Sequence, residues 1–208
     1  MDIPILFEDN HLLVVLKPSG VLSQGGEMNL PNMVDLLKEK IKEKYNKPGN
    51  VYLGLVHRLD LNVAGVMVFA KTSKAAKRLS EQIRKHQFDK SYLAIAKGEF
   101  DKDSMTYTDY LDKDPEKKQA IITDSKNGKL SQLNFRVIDK AMIDDAVYSL
   151  LDIDLETGRF HQIRSQMAHH GHPLYGDTKY GELKMNPDFF LGLFAYQISF
   201  NHPISDER

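Results

Sequence analysis

Apolar positions near the start of the chain come in two short runs, Ile5–Glu8 and Leu12–Leu16, separated by the turn pair Asp9-Asn10; this pattern predicts a hairpin. Lys17-Pro18-Ser19-Gly20 then breaks regular structure. Pro31 stands where a helix start tolerates proline. After it Val34, Leu37, Ile41 and Tyr45 recur at helical spacing, which predicts a helix with one apolar face, ended by Lys47-Pro48-Gly49-Asn50. Val66–Ala70 reads as a strand buried on both sides. From Ser73, Ala76, Leu79 and Ile83 line one side of a helix that is otherwise covered by charge, and Ser91–Ala96 reads as the next strand. Phe100–Gly128 is polar and of mixed charge, with Lys113-Asp114-Pro115 as a breaker, and reads as a hairpin or a mobile insertion. Lys129–Asp139 and Val147–Leu155 have the pattern of paired strands. Arg159–His170 reads as a helix with Phe160, Ile163 and Met167 on one face. Asn127-Gly128 and Thr157-Gly158 supply turn chemistry. Strands and helices mix without a regular β-α alternation, which favours an α+β fold.

Composition narrows the classes. The chain has 208 residues, 41% hydrophobic and 27% charged, which suits a single domain over 1–208, or one catalytic fold with two lobes. It has no cysteine, so neither a disulfide framework nor a thiolate nucleophile is available, and a cytoplasmic protein is expected. Met1 to Phe7 lacks the pattern of a signal peptide, and no stretch reaches the roughly 20 apolar residues of a membrane span. A net charge of −1 argues against coating nucleic acid by bulk charge and leaves room for a local basic face.

Three stretches carry candidate chemistry. In His57-Arg58-Leu59-Asp60, three polar side chains precede a strongly apolar strand, which puts Asp60 at a sheet edge or cleft; the plain alternative is an exposed loop with an Arg–Asp pair. A kinase catalytic loop also contains His-Arg-Asp, but this chain has no DFG and no Gly-rich loop before it. In Gly158-Arg159-Phe160-His161-Gln162-Ile163-Arg164, Arg164 lies about 100° round the helix from Ile163 and so flanks the buried face, from which it could reach a carboxylate. His169, His170 and His172 raise the question of a metal. Adjacent helical residues do not point together, and there is no HExxH and no acidic partner at ligand spacing, so no metal site is expected. In Lys90-Ser91-Tyr92-Leu93-Ala94, Tyr92 alone reads as core. Residues 71–90 hold seven Lys/Arg against two Asp/Glu, which fits either a solvated face or an RNA contact.

Taken in order, these stretches resemble the HRLDxxTSG, KxYxA and GRxHQIR motifs of the RluA family of RNA pseudouridine synthases. The likeness extends from Glu8-Asp9-Asn10 and Lys17-Pro18-Ser19-Gly20 through Gly171-His172-Pro173, Gly176-Asp177 and Tyr180-Gly181 to Phe200 with His202-Pro203. It implies the pseudouridine synthase catalytic fold, a mixed and mostly antiparallel sheet with flanking helices and a central RNA-binding cleft. It also implies a cofactor-free monomer that flips and isomerises uridines in structured rRNA or tRNA. Asp60 would be nucleophile or base, Tyr92 would stack on the uracil, and Arg164 would pair with Asp60. His57, Arg58, Lys71, Lys74, Lys77, Arg78, Arg159, His161 and Gln162 would touch RNA. Three departures stand out: Val63-Ala64 replaces Thr-Ser, Phe160 replaces Thr, and no S4-like domain precedes the motifs. Two other classes compete: an RNA-binding protein that has lost catalysis, and a metal-dependent hydrolase built on His169–His172.

Overall fold

The structure is a computed structural model that describes residues 1–26, 30–143, 145–181, 190–205 and 207–208. Its contacts divide the chain into two compact units, Met1–Phe88 with Gln197–Arg208, and Asp89–Tyr196. Among the described residues no helix is long and apolar enough to cross a membrane.

In the first unit β1 (Ile5–Glu8) and β2 (Leu12–Lys17) form the expected hairpin. Asp9 holds its turn: Oδ1 accepts from the amides of His11 (2.7 Å) and Leu12 (2.6 Å). Helix α1 (Met33–Lys44) starts after Asn32, whose side chain accepts from the Asp35 amide, so Pro31 precedes the cap rather than opening the helix. Met33, Leu37 and Ile41 are buried; Tyr45 lies beyond the last helical residue and is exposed, its hydroxyl donating to Glu8. Strands β3 (Gly54–Leu55) and β2 both pair antiparallel with β4 (Ala64–Ala70). Helix α2 (Ser73–Arg84), capped by Thr72, lays Ala75 and Leu79 against Leu12, Val68, Ala70 and Phe88, with Ile198 and Phe200 packed at the margin. Each large side chain buried this way contributes about 1.5–3 kcal/mol.

In the second unit β5 (Phe88–Lys97, from Asp89 on), β6 (Ser104–Asp114), β7 (Gln119–Thr123), β8 (Lys129–Ile143) and β9 (Ala146–Leu155) lie in the order β5-β9-β8-β6-β7, every pairing antiparallel. The stretch 100–128 is therefore a hairpin. Its breaker acts at Pro115, where Asp114 Oδ1 accepts from the amides of Glu116 and Lys117. Helix α3 (Gln162–His169) packs on β6 and β7. It starts later than its sequence pattern suggests, because His161 is left-handed (φ 50°) and leaves Arg159–His161 as loop. Phe160, expected on the buried face, is 38% exposed and stacks on the His161 ring. Strand β10 (Leu193–Phe200) is shared, with Leu193–Tyr196 in the second unit and Gln197–Phe200 in the first. Strands and helices without regular alternation make the fold α+β, as expected.

Candidate active site

The segment His57–Val63 runs into β4 as a loop that is fastened along most of its length. The Val68 amide donates to His57 Nε2 (3.1 Å), and the His57 ring lies 5.4 Å from that of Phe88. Ser23 Oγ donates to the Leu59 carbonyl (2.7 Å) and accepts from the Leu59 amide (3.0 Å). Gly20 N–H donates to the Leu61 carbonyl (2.9 Å), Ser19 Oγ to that of Asn62 (3.0 Å), and Val63 N–H to that of Asp60 (3.1 Å). The side chain of Lys17, 0% exposed, donates to the carbonyls of Pro18 (2.9 Å), Leu61 (3.1 Å) and Val63 (2.8 Å). An ammonium has three protons to give, and three carbonyls take them. Burial pushes Lys17 down to about 8 while the Asp60 carboxylate pulls the other way, so the ammonium stays charged at neutral pH. Asp60 is partly exposed at the crest of this loop, with Arg58 exposed beside it.

These contacts answer the departure at Val63-Ala64. Val63 is buried, and its backbone amide and carbonyl are both engaged, so backbone and Lys17 hold the loop where a hydroxyl is missing. Lys17 itself was visible in the sequence only as part of a chain break. Its signal is parity: it shares the buried face of β2 with Leu13 and Val15, a position where a lysine must have internal partners.

In the second unit Tyr92 is buried on β5 opposite Ile153. Arg164, expected on the flank of its helix, is inside: all of Gln162–Met167 is buried, and Arg164 is 6% exposed. Its Nε and Nη2 each lie 2.8 Å from one oxygen of Asp177, a fork-to-fork pair. The Tyr180 ring sits 5.3 Å from the guanidinium carbon. Burial pushes the Asp177 carboxyl up, but Arg164 and the amides of Lys179 and Tyr180 outweigh it and hold the carboxyl below its ordinary value. Sequence reasoning missed Asp177. The preceding Gly176 (φ 69°) is required, since a Cβ there would meet the Phe190 carbonyl at 2.1 Å.

Several residues expected to touch RNA have partners within the protein. Gln162 is buried with both ends of its amide engaged: Oε1 accepts from Thr157 Oγ (2.8 Å) and the Arg159 amide (3.0 Å), and Nε2 donates to the Gln132 carbonyl (3.1 Å). His161 Nδ1 meets the Tyr180 hydroxyl at 2.8 Å. His57 accepts from the backbone of β4, and the Lys71 ammonium is held by Glu8 Oε1 (2.7 Å) and the Asp9 carbonyl (2.5 Å). Lys74 and Lys77 are exposed on α2, and Arg78 reaches the Pro203 carbonyl. Arg159 is exposed and donates through Nε to the Leu130 carbonyl (3.1 Å). The histidine run does acquire an acidic neighbour: strand β6 brings Asp109 to His169 and His170, with ligand atoms within 4.8 Å of one another. There Asp109 Oδ2 meets Gln166 Nε2 (2.7 Å) and His170 Nε2 (3.1 Å). His172 turns away to the Lys97 carbonyl and stacks on Phe100.

Comparison with known proteins agrees with these motifs. The chain is 34% identical over 192 residues to ribosomal large subunit pseudouridine synthase C of Buchnera aphidicola subsp. Acyrthosiphon pisum, an alignment that covers 88% of this chain and 56% of that protein. It is 31% identical to tRNA pseudouridine synthase C of Pectobacterium carotovorum subsp. carotovorum, covering 98% of this chain and 56% of that protein. The chain thus spans little more than half the length of these relatives. Among solved structures, human RNA pseudouridylate synthase domain containing 1 shares the fold, with a TM-score of 0.77, 24% identity, and coverage of 95% of this chain and 78% of that one. The family model for RNA pseudouridylate synthase matches residues 11–169, well over half of the sequence, and the chain belongs to that family.

Proposed function

We propose that this chain isomerises uridine to pseudouridine in structured ribosomal or transfer RNA, acting in the cytoplasm as a monomer and without a cofactor. The observation that carries the reading is an intact aspartate, Asp60, on a loop fastened by Lys17, Ser19, Gly20 and Ser23, within a chain of this family. The reaction breaks the glycosidic bond of uridine, turns the base and rejoins it through carbon, so no redox group and no donor molecule is required. A carboxylate beside the sugar and base serves as nucleophile or base, and a fixed loop lowers the cost of orienting it. We assign Asp60 that role, Tyr92 the ring that stacks on the uracil, and Arg164 a positive charge for the reacting group, pre-oriented by Asp177.

A paired uridine hides the reacting atoms, so the base must leave the stack at a cost of a few kcal/mol, least in loops. Exposed Arg58 is suited to occupy the vacated space or hold the flipped nucleotide. Lys74, Lys77 and Arg78 on α2, with Arg159, are suited to the phosphate backbone. The test is pseudouridine mapping of ribosomal and transfer RNA from cells with and without this protein. At least one modified position is expected to vanish on deletion and to return with the wild-type protein. A map unchanged at every position would contradict the proposal.

A further inference from the structure

Among the described residues the fully buried charges, Lys17, Arg164 and Asp177, are matched. Lys17 has three carbonyls, Arg164 has Asp177, and Glu8 has Lys44 and Lys71. Lys90 breaks the pattern. It stands on β5 two residues before Tyr92, hence on the same face and about 7 Å along the strand. It is half-buried, and among the described residues no carboxylate or carbonyl accepts from its ammonium. Its neighbours are Gly158, where a Cβ would lie 2.9 Å from Nζ, and Arg159, a second cation. Burial, and after it the Arg159 charge, pushes the Lys90 ammonium below its ordinary value. Arg159 spends only Nε on the Leu130 carbonyl, and its two terminal nitrogens have no acceptor among the described residues.

Two cations brought together with one of them drawn out of water are unfavourable unless an anion joins them. A phosphodiester fits: it carries one negative charge on two free oxygens, one for the ammonium and one for the guanidinium. Gly158 leaves the space beside the Lys90 ammonium clear of a side chain. We infer that Lys90 and Arg159, with Gly158 beside the Lys90 ammonium, form a subsite for one backbone phosphate of RNA beside the uridine received by Tyr92. The inference rests on the proposed RNA substrate and adds Lys90 to it as a binding residue.

The test uses the full chain, a fluorescent single-stranded oligouridylate, and the variants Lys90→Met, Lys90→Arg and Arg159→Met, with anisotropy measured across a series of KCl concentrations. Lys90→Met and Arg159→Met are each expected to weaken binding about tenfold at low salt and to lower the salt slope by about 0.7. Lys90→Arg should keep the slope. Replacing one particular phosphate by an uncharged methylphosphonate should weaken the wild type and leave either Met variant unaffected. Melting temperature separates a folding defect from a lost contact, and Arg159→Met, at an exposed position, carries the test if Lys90→Met does not fold. Variants that bind with wild-type affinity and slope, or a methylphosphonate effect equal in all proteins, overturn the subsite while leaving the proposed function standing. A wild type that binds no oligouridylate overturns both. Stabilisation of the wild type by inorganic phosphate with no Lys90-dependent RNA binding would make this a site for free phosphate and overturn the RNA assignment.

Discussion

At the scale of single residues, Lys17 shows how a charge far from any sequence motif for catalysis can set the geometry of a candidate catalytic loop. Replacing it with Met removes three donors from three carbonyls, and we expect a loss of about 2 kcal/mol at neutral pH together with a fall in turnover. The pH dependence gives a sharper check. Lys17 sits at about 8 in the fold against 10.5 in the open chain, so between these values the unfolded chain holds a proton that the folded one lacks. Raising pH through this window therefore favours the folded state, by up to about 3 kcal/mol. Denaturant unfolding of wild type and Lys17→Met from pH 7 to 10.5 should show their stability difference widening, and a constant difference would contradict the burial of the ammonium. The sequence displayed Asp60 and its motif plainly, because a motif is a local string. It hid Lys17 and Asp177, because their partners lie 44 and 46 residues away for Lys17 and 13 for Asp177.

Among the elements, α3 departs most from its sequence pattern. Phe160, Ile163 and Met167 suggested an amphipathic helix with Arg164 on its flank, yet Gln162, Arg164, Ser165 and Gln166 are all buried. A helix enclosed on all sides can carry polar side chains when each finds a partner inside, and periodicity alone does not reveal such partners. By contrast β1 with β2 were legible as two apolar runs parted by the Asp9-Asn10 turn, and α2 because one of its faces is apolar and the other charged. Arg164→Met tests the enclosed pair. It leaves Asp177 buried opposite an apolar stem, and we expect a loss of about 3–5 kcal/mol. Because the pair holds Asp177 below its ordinary value, its contribution is present above the usual carboxylate range and fades as pH falls through the depressed value. The gap between wild type and Arg164→Met should therefore narrow in acid. A variant as stable as the wild type at pH 7 would show that the pair does not hold the helix.

For the molecule as a whole, the α+β class and the order of the motifs were legible and two lobes were one alternative, whereas the boundary between the two units emerged only from the fold. Stability against acid follows from charges joining separate elements. Glu8, on β1, receives Lys44 and Tyr45 from the end of α1 and Lys71 from the end of β4. Burial pushes its carboxyl up, but these three donors prevail and hold it at about 2. Its contribution is complete above about 4.5 and is lost as pH falls toward 2, by about 3 kcal/mol in all. Glu8→Gln should be less stable than wild type at pH 6, with the difference shrinking through that window in thermal melts; a difference that does not change would contradict the network. The proposed chemistry turns on Asp60, and it is tested by pseudouridine formation by Asp60→Asn on an RNA that the wild type modifies, with binding of that RNA measured alongside. We expect no detectable pseudouridine and RNA affinity within a few fold of wild type, since the amide keeps the size of the side chain and removes its charge. Turnover close to that of the wild type would contradict it.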